Sequence, residues 1–281
     1  MLFRGAAVLE FDGAGNLLKS WGGPGPGYDW PTSEHSIFVD ASGNIWITGN
    51  GATDRQALKF TNDGNFIMQI GHSSKAEINS LDTTLLGRPA GIEVDEKARE
   101  LYIADGYGNR RVIVFDSDSG KFKRMWGAYG NAPSDADPGA YDPSAAPGKQ
   151  FRTPVHCVHL SNDGLVYVCD RVNDRIQVFT KEGKFLKEFS LRKQILGNGS
   201  AYDLAFSRDQ SQGYLLVADA SVPRGKNARC RLAPARKADC WRCRRWLELC
   251  CYWPFPGNGL NDLGLSLSRI AKGKGESFHF K

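Results

Sequence analysis

The sequence predicts an all-β fold built from repeated hairpins, and more specifically a β-propeller. One phrase occurs four times: a four-residue β-type run ending in Phe, a polar turn ending in Gly, and a second alternating run. Its copies recur at a spacing of roughly fifty residues, at which arrays of hairpins form the blades of a propeller. The copies are Val8–Gly22, Ala57–Gly71, Val112–Gly127 and Ile176–Ser190.

A second kind of hairpin completes each blade. Its two runs alternate apolar and polar residues around a turn rich in Asp, Asn, Ser and Gly. Together with the repeated phrase, this hairpin gives four antiparallel strands, which is one propeller blade. These hairpins are Ser36–Gly49, Gly91–Asp105, Cys157–Asp170 and Asp203–Asp219.

The strand pattern of about four and a half blades can be recognised within residues 1–220, which we assign to an incomplete propeller. Residues 8–22 supply only the outer two strands of a blade, and a further blade begins near residue 199. Because an open ring leaves unpaired strand edges, we expect strands from the C-terminal end to complete both. The complete blades span residues 34–71, 88–127 and 153–190.

Residues 221–281 form an Arg- and Cys-rich tail in which the alternating pattern is lost. The tail holds 13 Lys/Arg against 4 Asp/Glu, whereas residues 1–220 hold 23 against 27. Five of the seven Cys lie here, without the two well-separated pairs that a zinc knuckle needs. We interpret the tail as aberrant, either an out-of-frame translation of the last blades or a disordered segment. A genuine extra module is the alternative.

Charge and hydropathy argue against two classes of partner. The propeller part is mildly acidic, so it lacks the basic surface of a nucleic-acid-binding protein. No apolar run approaches the roughly 18 residues of a membrane span. The first residues show no signal peptide, although a truncated N-terminus would look the same. Compartment and oligomeric state stay open.

Two histidines stand where a blade's first strand begins. His35 and His156 each precede such a strand, and the first strand of a blade lines the central channel. Aligned blades place Ala90 and Tyr202 at the corresponding position. Two imidazoles that converge in the channel could hold zinc, or they could form a hydrogen-bonded pair with no metal.

Polar segments end the second strands, beside the starts of the first strands. Tyr107 lies in the segment DGYGN at 105–109, and Arg171 lies in DRVN at 170–173. The phenol could act as a base or a hydrogen-bond donor, and the guanidinium could bind a carboxylate with two parallel hydrogen bonds. The Asp and Asn residues of both segments are expected to satisfy turn amides.

Cys157 and Cys169 lie symmetrically about a predicted turn, so we expect them to be cross-strand neighbours. A disulfide between them would need an oxidising compartment. We expect instead two small, buried, unlinked side chains.

On these residues, the segment 1–220 resembles the NHL-repeat propellers, and among them peptidyl-α-hydroxyglycine α-amidating lyase. The resemblance implies a six-bladed propeller, zinc held by three histidines, a structural calcium and, often, export from the cell. It implies cleavage of a C-terminal α-hydroxyglycine to a peptide amide and glyoxylate. By position in the matching motifs, the zinc ligands would be His35 and His156, the tyrosine Tyr107 and a substrate-binding arginine Arg171.

The sequence also departs from that family. The third zinc histidine belongs to a blade after residue 219, where His279 has no blade around it. His72 and His159 are out of phase with that position. Gly108 stands where the family has a Cys, so that disulfide is absent. We therefore expect zinc to bind weakly or to be lost.

Two functions are consistent with these residues. The first is an NHL-type binding propeller that takes a small carboxylate or a peptide C-terminus at the channel mouth. The alternative is a zinc-dependent lyase that releases glyoxylate, in which Tyr107 takes a proton and Arg171 holds a carboxylate. A calcium-dependent lactonase-type propeller is a third class. It is disfavoured because the sequence places no Glu and no paired Asp or Asn at the predicted channel positions.

Overall fold

The computed structural model describes residues 7–219 in full and, beyond them, the backbone of two strands at 229–234 and 248–250. These residues form antiparallel sheets, with two short 3₁₀ turns at Ala128–Gly130 and Arg171–Asn173. No helix in the described part of the chain has the length and apolarity to span a bilayer.

The strands form one two-stranded sheet and four four-stranded sheets, which we number as blades one to five. Blade one holds β1 (Val8–Phe11) and β2 (Leu17–Trp21). Blade two holds β3 (Glu34–Val39), β4 (Ile45–Gly49), β5 (Gln56–Phe60) and β6 (Phe66–Gly71). Blade three holds β7 (Gly91–Asp95), β8 (Glu100–Asp105), β9 (Arg111–Asp116) and β10 (Phe122–Trp126). Blade four holds β11 (Val155–Leu160), β12 (Leu165–Asp170), β13 (Arg175–Thr180) and β14 (Phe185–Ser190). Blade five holds β15 (Asp203–Phe206), β16 (Tyr214–Asp219), β17 (Arg229–Pro234) and β18 (Glu248–Cys250).

The prediction of antiparallel propeller blades is confirmed, with one addition. We expected the blade that begins near residue 199 to be completed by C-terminal strands, but no alternating pattern after Asp219 indicated where they lie. In the structure β17 pairs with β16, and β18 pairs with β17. Backbone hydrogen bonding to an existing edge can form a strand without an alternating side-chain pattern. The rest of the tail lies outside the described residues, and its origin stays a prediction.

The repeated phrase has a packing reason. Trp21 is the last residue of β2 in blade one, and its indole lies on Gly64, the turn glycine of blade two. Trp126 lies in the same way on Gly183 of blade four. A Cβ at either glycine would come within 2.8 Å of the indole, and both glycines have positive φ angles. The turn therefore needs glycine both for its backbone conformation and for the neighbouring blade's tryptophan.

The hydrophobic core lies between neighbouring blades. Tyr102 and Val114 of blade three pack with Val166 and Phe179 of blade four in one cluster. Strands β4 and β8 are buried along their whole length, because the middle strands of a blade are covered on both faces. This stacking fixes the inner ends of the blades relative to one another, and the candidate site is built from those ends.

A buried ion pair recurs at the second and third strands of blades three and four. Asp105 lies 2.9 Å from an Nη2 atom of Arg111, and Asp170 lies 2.7 Å from the Nε atom of Arg175. The same carboxylates accept backbone N–H groups of the segments that enter these blades, as expected for structural turn residues. The backbone register of blade five repeats the arrangement by pairing Asp219 with Arg229.

Cys157 and Cys169 are cross-strand partners, as the symmetry of the turn predicted. Our expectation that they stay unlinked is wrong, because they form a disulfide that joins β11 to β12. Both residues are buried in the cluster between blades four and five. Two cysteines directly opposite each other on paired strands have Cα atoms close enough for a bridge, here 4.8 Å apart.

Candidate functional site

Both predicted histidines are bulged residues of a first strand. In β3 the register jumps from the pair Glu34–Gly49 to the pair Ser36–Thr48, which leaves His35 as the extra residue. In β11 the same jump occurs between Val155 and Cys157, which leaves His156 as the extra residue. A bulge turns its side chain away from the regular alternation, and bulges of this kind recur beside active sites.

The other two blades have no such bulge, which corrects our alignment. Ala90 and Tyr202 each donate a backbone N–H to the second strand of their own blade, in unbroken register with the strand that follows. They therefore correspond to the residue before the histidine, and the histidine is an insertion in blades two and four. The alternating pattern that aligned the blades does not reveal one extra residue at a strand start.

Backbone carbonyls fix the tautomer of both imidazoles. The Nδ1 atom of His35 lies 2.8 Å from the carbonyl oxygen of Ala90 in blade three. The Nδ1 atom of His156 lies 2.6 Å from the carbonyl oxygen of Tyr202 in blade five. A carbonyl oxygen can only accept, so each Nδ1 carries a proton and each Nε2 is the ring nitrogen turned toward the site. The acceptor comes in both cases from the next blade.

The two Nε2 atoms converge on the hydroxyl of Tyr107. Each lies 3.1 Å from the phenol oxygen, and the two imidazole centroids are 5.2 Å apart. Tyr107 is positioned by its backbone N–H, which donates to the carbonyl of Arg88 at 3.1 Å. It follows Gly106, where a Cβ would lie 2.0 Å from the carbonyl oxygen of Val155. Glycine is therefore required where this segment crosses the start of β11.

His156 is held in its neutral form. Burial lowers the pKa of this imidazole to about 4, and the nearby charges of Arg171 and of His35 lower it further. The carbonyl of Tyr202 acts in the opposite direction. A neutral imidazole with its Nδ1 proton donated to a carbonyl is the form in which histidine binds metals.

Arg171 brings a buried positive charge to the same place. Its side chain is buried, and one Nη1 group donates to the Tyr107 hydroxyl at 3.3 Å. Its guanidinium carbon lies 4.7 Å from the ring centre of Tyr202. Within residues 7–219 its Nε–H has no hydrogen-bond partner and no carboxylate forms a salt bridge with it. A buried guanidinium with a donor to spare is suited to an anionic ligand.

The structure thus brings together all four residues singled out in the sequence, His35, Tyr107, His156 and Arg171. Two more side chains belong to the site and were missed as functional residues. Tyr202 lies with its ring 5.6 Å from that of His156, and the guanidinium of Arg88 lies 5.9 Å from the ring of Tyr107. Tyr202 directly precedes β15 and Arg88 lies three residues before β7, and only the packing of blades brings them beside His156 and Tyr107.

No family model matches the chain. NHL repeat-containing protein 3 of Homo sapiens is 30% identical over 184 residues, which are 62% of this chain and 45% of the relative. Peptidyl-glycine alpha-amidating monooxygenase B of Xenopus laevis is 30% identical over 158 residues, 55% of this chain and 16% of the relative. A probable peptidyl-alpha-hydroxyglycine alpha-amidating lyase of Caenorhabditis elegans is 25% identical over 147 residues, 52% of this chain and 36% of the relative.

The chain is related to NHL-repeat proteins and to amidating lyases. It spans less than half the length of each of these curated relatives.

Solved structures with a similar fold support the assignment of this chain as an NHL-type propeller. A gluconolactonase from Xanthomonas campestris matches with a TM-score of 0.52 at 14% identity, covering 81% of this chain and 65% of that one. An inactive virginiamycin B lyase from Staphylococcus aureus, solved with quinupristin, matches with 0.51 at 15%, covering 88% and 63%.

Channel-facing carboxylates correct one further expectation for this NHL-type propeller. We expected no Glu and no paired Asp or Asn at the channel positions, but Glu93 on β7 and Asp203 on β15 both lie on first strands. They flank His159, whose Nδ1 and Nε2 atoms lie 2.7 and 2.8 Å from their carboxylate oxygens. The hydrogen bonds and charges of Asp203 and Glu93 outweigh burial and raise the pKa of His159 to about 10. Both carboxylates are thereby engaged by one imidazolium.

Proposed function

We propose that this propeller binds a small carboxylate or a peptide C-terminus at the channel mouth. The single observation that carries the proposal is Arg171, a buried guanidinium with an unused donor beside Tyr107 and the two imidazoles. A carboxylate there would pair with the guanidinium, and the charge-assisted hydrogen bond would be strong because the site is largely withdrawn from water.

A metal fits the donor set only in part. His35 and His156 would hold zinc through their Nε2 atoms, both already turned toward one point by the carbonyls of the neighbouring blades. A bound zinc ion would act as a Lewis acid that polarises an oxygen of the ligand. Catalytic zinc sites use three protein ligands, and within residues 7–219 no third histidine reaches this point. Weak zinc binding therefore remains our prediction.

Calcium, which the resemblance implies, has no candidate cluster of its own in the part of the chain that the structure describes. The one group of three potential ligands there consists of Cys157, His159 and Asp203. Cys157 is held in the disulfide, and the carboxylates of Asp203 and Glu93 stabilise the protonated form of His159, so neither residue would serve a hard cation. Calcium stays a prediction.

The alternative function is a lyase that releases glyoxylate from α-hydroxyglycine peptides. It is favoured by relatives whose names include the amidating lyase and by the placement of Tyr107 between the Nε2 atoms of two imidazoles. Tyr107 would then take up the proton of the ligand's hydroxyl while passing its own phenol proton to an imidazole Nε2 atom. The C–N bond would break as the C=O bond of glyoxylate forms, the proton would end on the amide nitrogen, and Arg171 would orient the carboxylate.

Binding by the full chain can be tested by titration calorimetry with N-acetylglycine and, as the neutral counterpart, N-acetylglycinamide. We expect the acid to bind and the amide to bind at least tenfold more weakly. Arg171→Gln should abolish the preference, whereas Arg99→Gln, which removes an exposed arginine, should retain it. Equal binding of acid and amide by the unchanged protein would overturn the proposal.

The lyase alternative needs its own measurement. Glyoxylate release from an α-hydroxyglycine peptide should be absent or very slow in this chain, with or without added zinc. Metal analysis should find well under one zinc per chain. One tightly bound zinc that is lost in His35→Ala, together with glyoxylate release, would contradict weak zinc binding and establish the lyase.

A further inference from the structure

A second arginine lies over the ring of the same tyrosine. The guanidinium carbon of Arg88 lies 5.9 Å from the ring centre of Tyr107, and that of Arg171 lies 5.6 Å from it. The two arginines come from different blades, Arg88 from the segment entering β7 and Arg171 from the turn after β12. One aromatic ring is thus shared by two cationic groups.

The backbone of Arg88 is held in a position that most residues avoid. Its φ angle is 58°, in the left-handed region, between Gly87 and Pro89. Its N–H donates to the carbonyl of Asp54 at 3.1 Å, and its carbonyl accepts the N–H of Tyr107 at 3.1 Å. Non-glycine residues persist in this region where surrounding contacts over-determine them, often at ligand sites. One of these contacts is the hydrogen bond to Tyr107, around which the site is built.

The side chain of Arg88 has donors left for a ligand. Its Nε–H donates to the carbonyl of Asn50 at 2.7 Å, which fixes the direction of the guanidinium. Among the described residues no other hydrogen bond and no salt bridge engages it, so both Nη groups remain available. Arg99 gives the contrast: it too has a positive φ, of 52°, but its guanidinium is exposed and pairs with Asp118.

Positively charged side chains lie close together around Arg88. Burial lowers the pKa of the neighbouring Arg55, and the positive charge of Arg88 lowers it further, against the opposing effect of Asp105. Arg88 and Arg171 also lie over the same ring of Tyr107, so two guanidinium groups bring positive charge to one place in the site. Such an arrangement favours a ligand with more than one negative charge.

We propose that Arg88 is a specificity-determining residue that receives a second carboxylate, so that the site prefers ligands carrying two carboxylates a few bonds apart. This inference rests on the proposed carboxylate binding at Arg171. The ligand class is a small dicarboxylate or a peptide end whose last residue is acidic. Arg171 binds one carboxylate, and the two Nη groups of Arg88 bind the other as a planar fork.

N-Acetyl-aspartate and N-acetyl-asparagine are matched probes, because they differ only in the charge and hydrogen bonding of the side chain. Calorimetry on the full chain should give at least tenfold tighter binding of the aspartate. Arg88→Gln should remove this preference by weakening the aspartate alone, and Arg88→Lys should keep part of it. Arg99→Gln is the control and should change neither affinity.

The outcomes separate this inference from the proposed function. If the unchanged protein binds neither probe, carboxylate binding at Arg171 is wrong and this inference falls with it. If both probes bind and Arg88→Gln leaves their affinity ratio unchanged, or weakens both alike, Arg88 has no role in specificity and only this inference is wrong. Far-ultraviolet circular dichroism of each variant, and the lysine variant in particular, excludes loss of folding as the cause.

Discussion

Single residues in this molecule are most constrained where a charge is buried. Asp105 and Arg111 are both inaccessible to solvent and lie 2.9 Å apart. Arg111 also donates to the backbone carbonyls of Ser80 and Leu85, so it ties an inserted loop to the blade. A buried carboxylate without its cation is costly, because the protein interior solvates it poorly.

Arg111→Met should therefore destabilise the fold by about 3–5 kcal/mol, since it leaves the Asp105 carboxylate buried without a partner. The matched control is Arg99→Met, at an exposed pair with 3.4 Å between charged atoms, for which we expect less than about 0.5 kcal/mol. Urea unfolding followed by tryptophan fluorescence measures both. Similar midpoints for the two variants would mean that the buried pair contributes little.

The sequence could indicate a functional residue only where its residue type is unusual for the turn in which it lies. Tyr107 and Arg171 stood out in the sequence because neither is needed to form the turn that holds it. Arg88 and Tyr202 gave no such signal, since one precedes a proline and the other reads as an ordinary strand residue. Their role in the site follows from blade packing, which brings them beside Tyr107 and His156.

Among the elements, the first strands of blades two and four are distinguished by one inserted residue each. The insertion shifts the histidine out of the alternation, and the carbonyl of the next blade then orients it. The segment carrying Tyr107 crosses directly over the start of β11, with Gly106 against the backbone of Val155. The site therefore depends on how closely two strand ends approach.

Gly106→Ala tests this close approach. Its Cβ would lie 2.0 Å from a backbone oxygen that belongs to β11, so the two segments must separate. We expect a loss of about 1–3 kcal/mol of stability and at least tenfold weaker carboxylate binding, since Tyr107 and His156 move apart. Gly13→Ala is the control, because a Cβ there meets nothing within 4 Å. Unchanged binding in Gly106→Ala would show that the site tolerates the separation.

The disulfide is a second element-level prediction. It links β11 to β12 across a separation of 12 residues, and cross-linking of this length stabilises a fold by roughly 2–4 kcal/mol. Protein purified without reductant should have Cys157 and Cys169 protected from alkylation, as read by peptide mass spectrometry. Cys157→Ser with Cys169→Ser should unfold at lower urea concentration. Free thiols at both positions in protein kept under oxidising conditions would contradict the bond.

At the scale of the whole molecule, one histidine joins three successive blades. His159 of blade four pairs with Glu93 of blade three and Asp203 of blade five, so three successive blades share a single positive charge. The imidazole keeps 29% of its surface exposed, which moderates the strength of both pairs. His159 lies on the same strand as His156, so the two ion pairs hold that strand against the first strands of both neighbouring blades.

These ion pairs should make stability depend on pH. Since the pKa of His159 is raised to about 10 from an ordinary value near 6.5, its contribution is complete below pH 6.5 and is lost as the pH rises toward 10. His159→Gln should cost about 2 kcal/mol at pH 6, in the range of charge-assisted hydrogen bonds, and less than half of that at pH 10. Urea midpoints of both proteins across this range measure the difference. A difference that stays constant from pH 6 to pH 10 would show that the imidazole is not protonated in the fold.

The sequence by itself determined the blade and its repeat. Period-two runs fix which side chains enter the core, and the Phe-turn-Gly phrase reflects a tryptophan lying on the next blade's turn glycine. Both patterns repeat along the chain, so they can be recognised from the sequence alone. The cross-strand register of Cys157 and Cys169 followed in the same way.

Only the tertiary structure decided which residues meet at the channel mouth. His35 and His156 are 121 positions apart, and they converge on Tyr107 because the inner ends of three blades are brought together by the core between them. The one-residue bulges, the carbonyls of Ala90 and Tyr202 and the guanidinium of Arg88 have no signature in a period-two pattern. A side chain's direction at a strand end is set by the neighbouring blade, and that neighbour is close in space but distant in the chain.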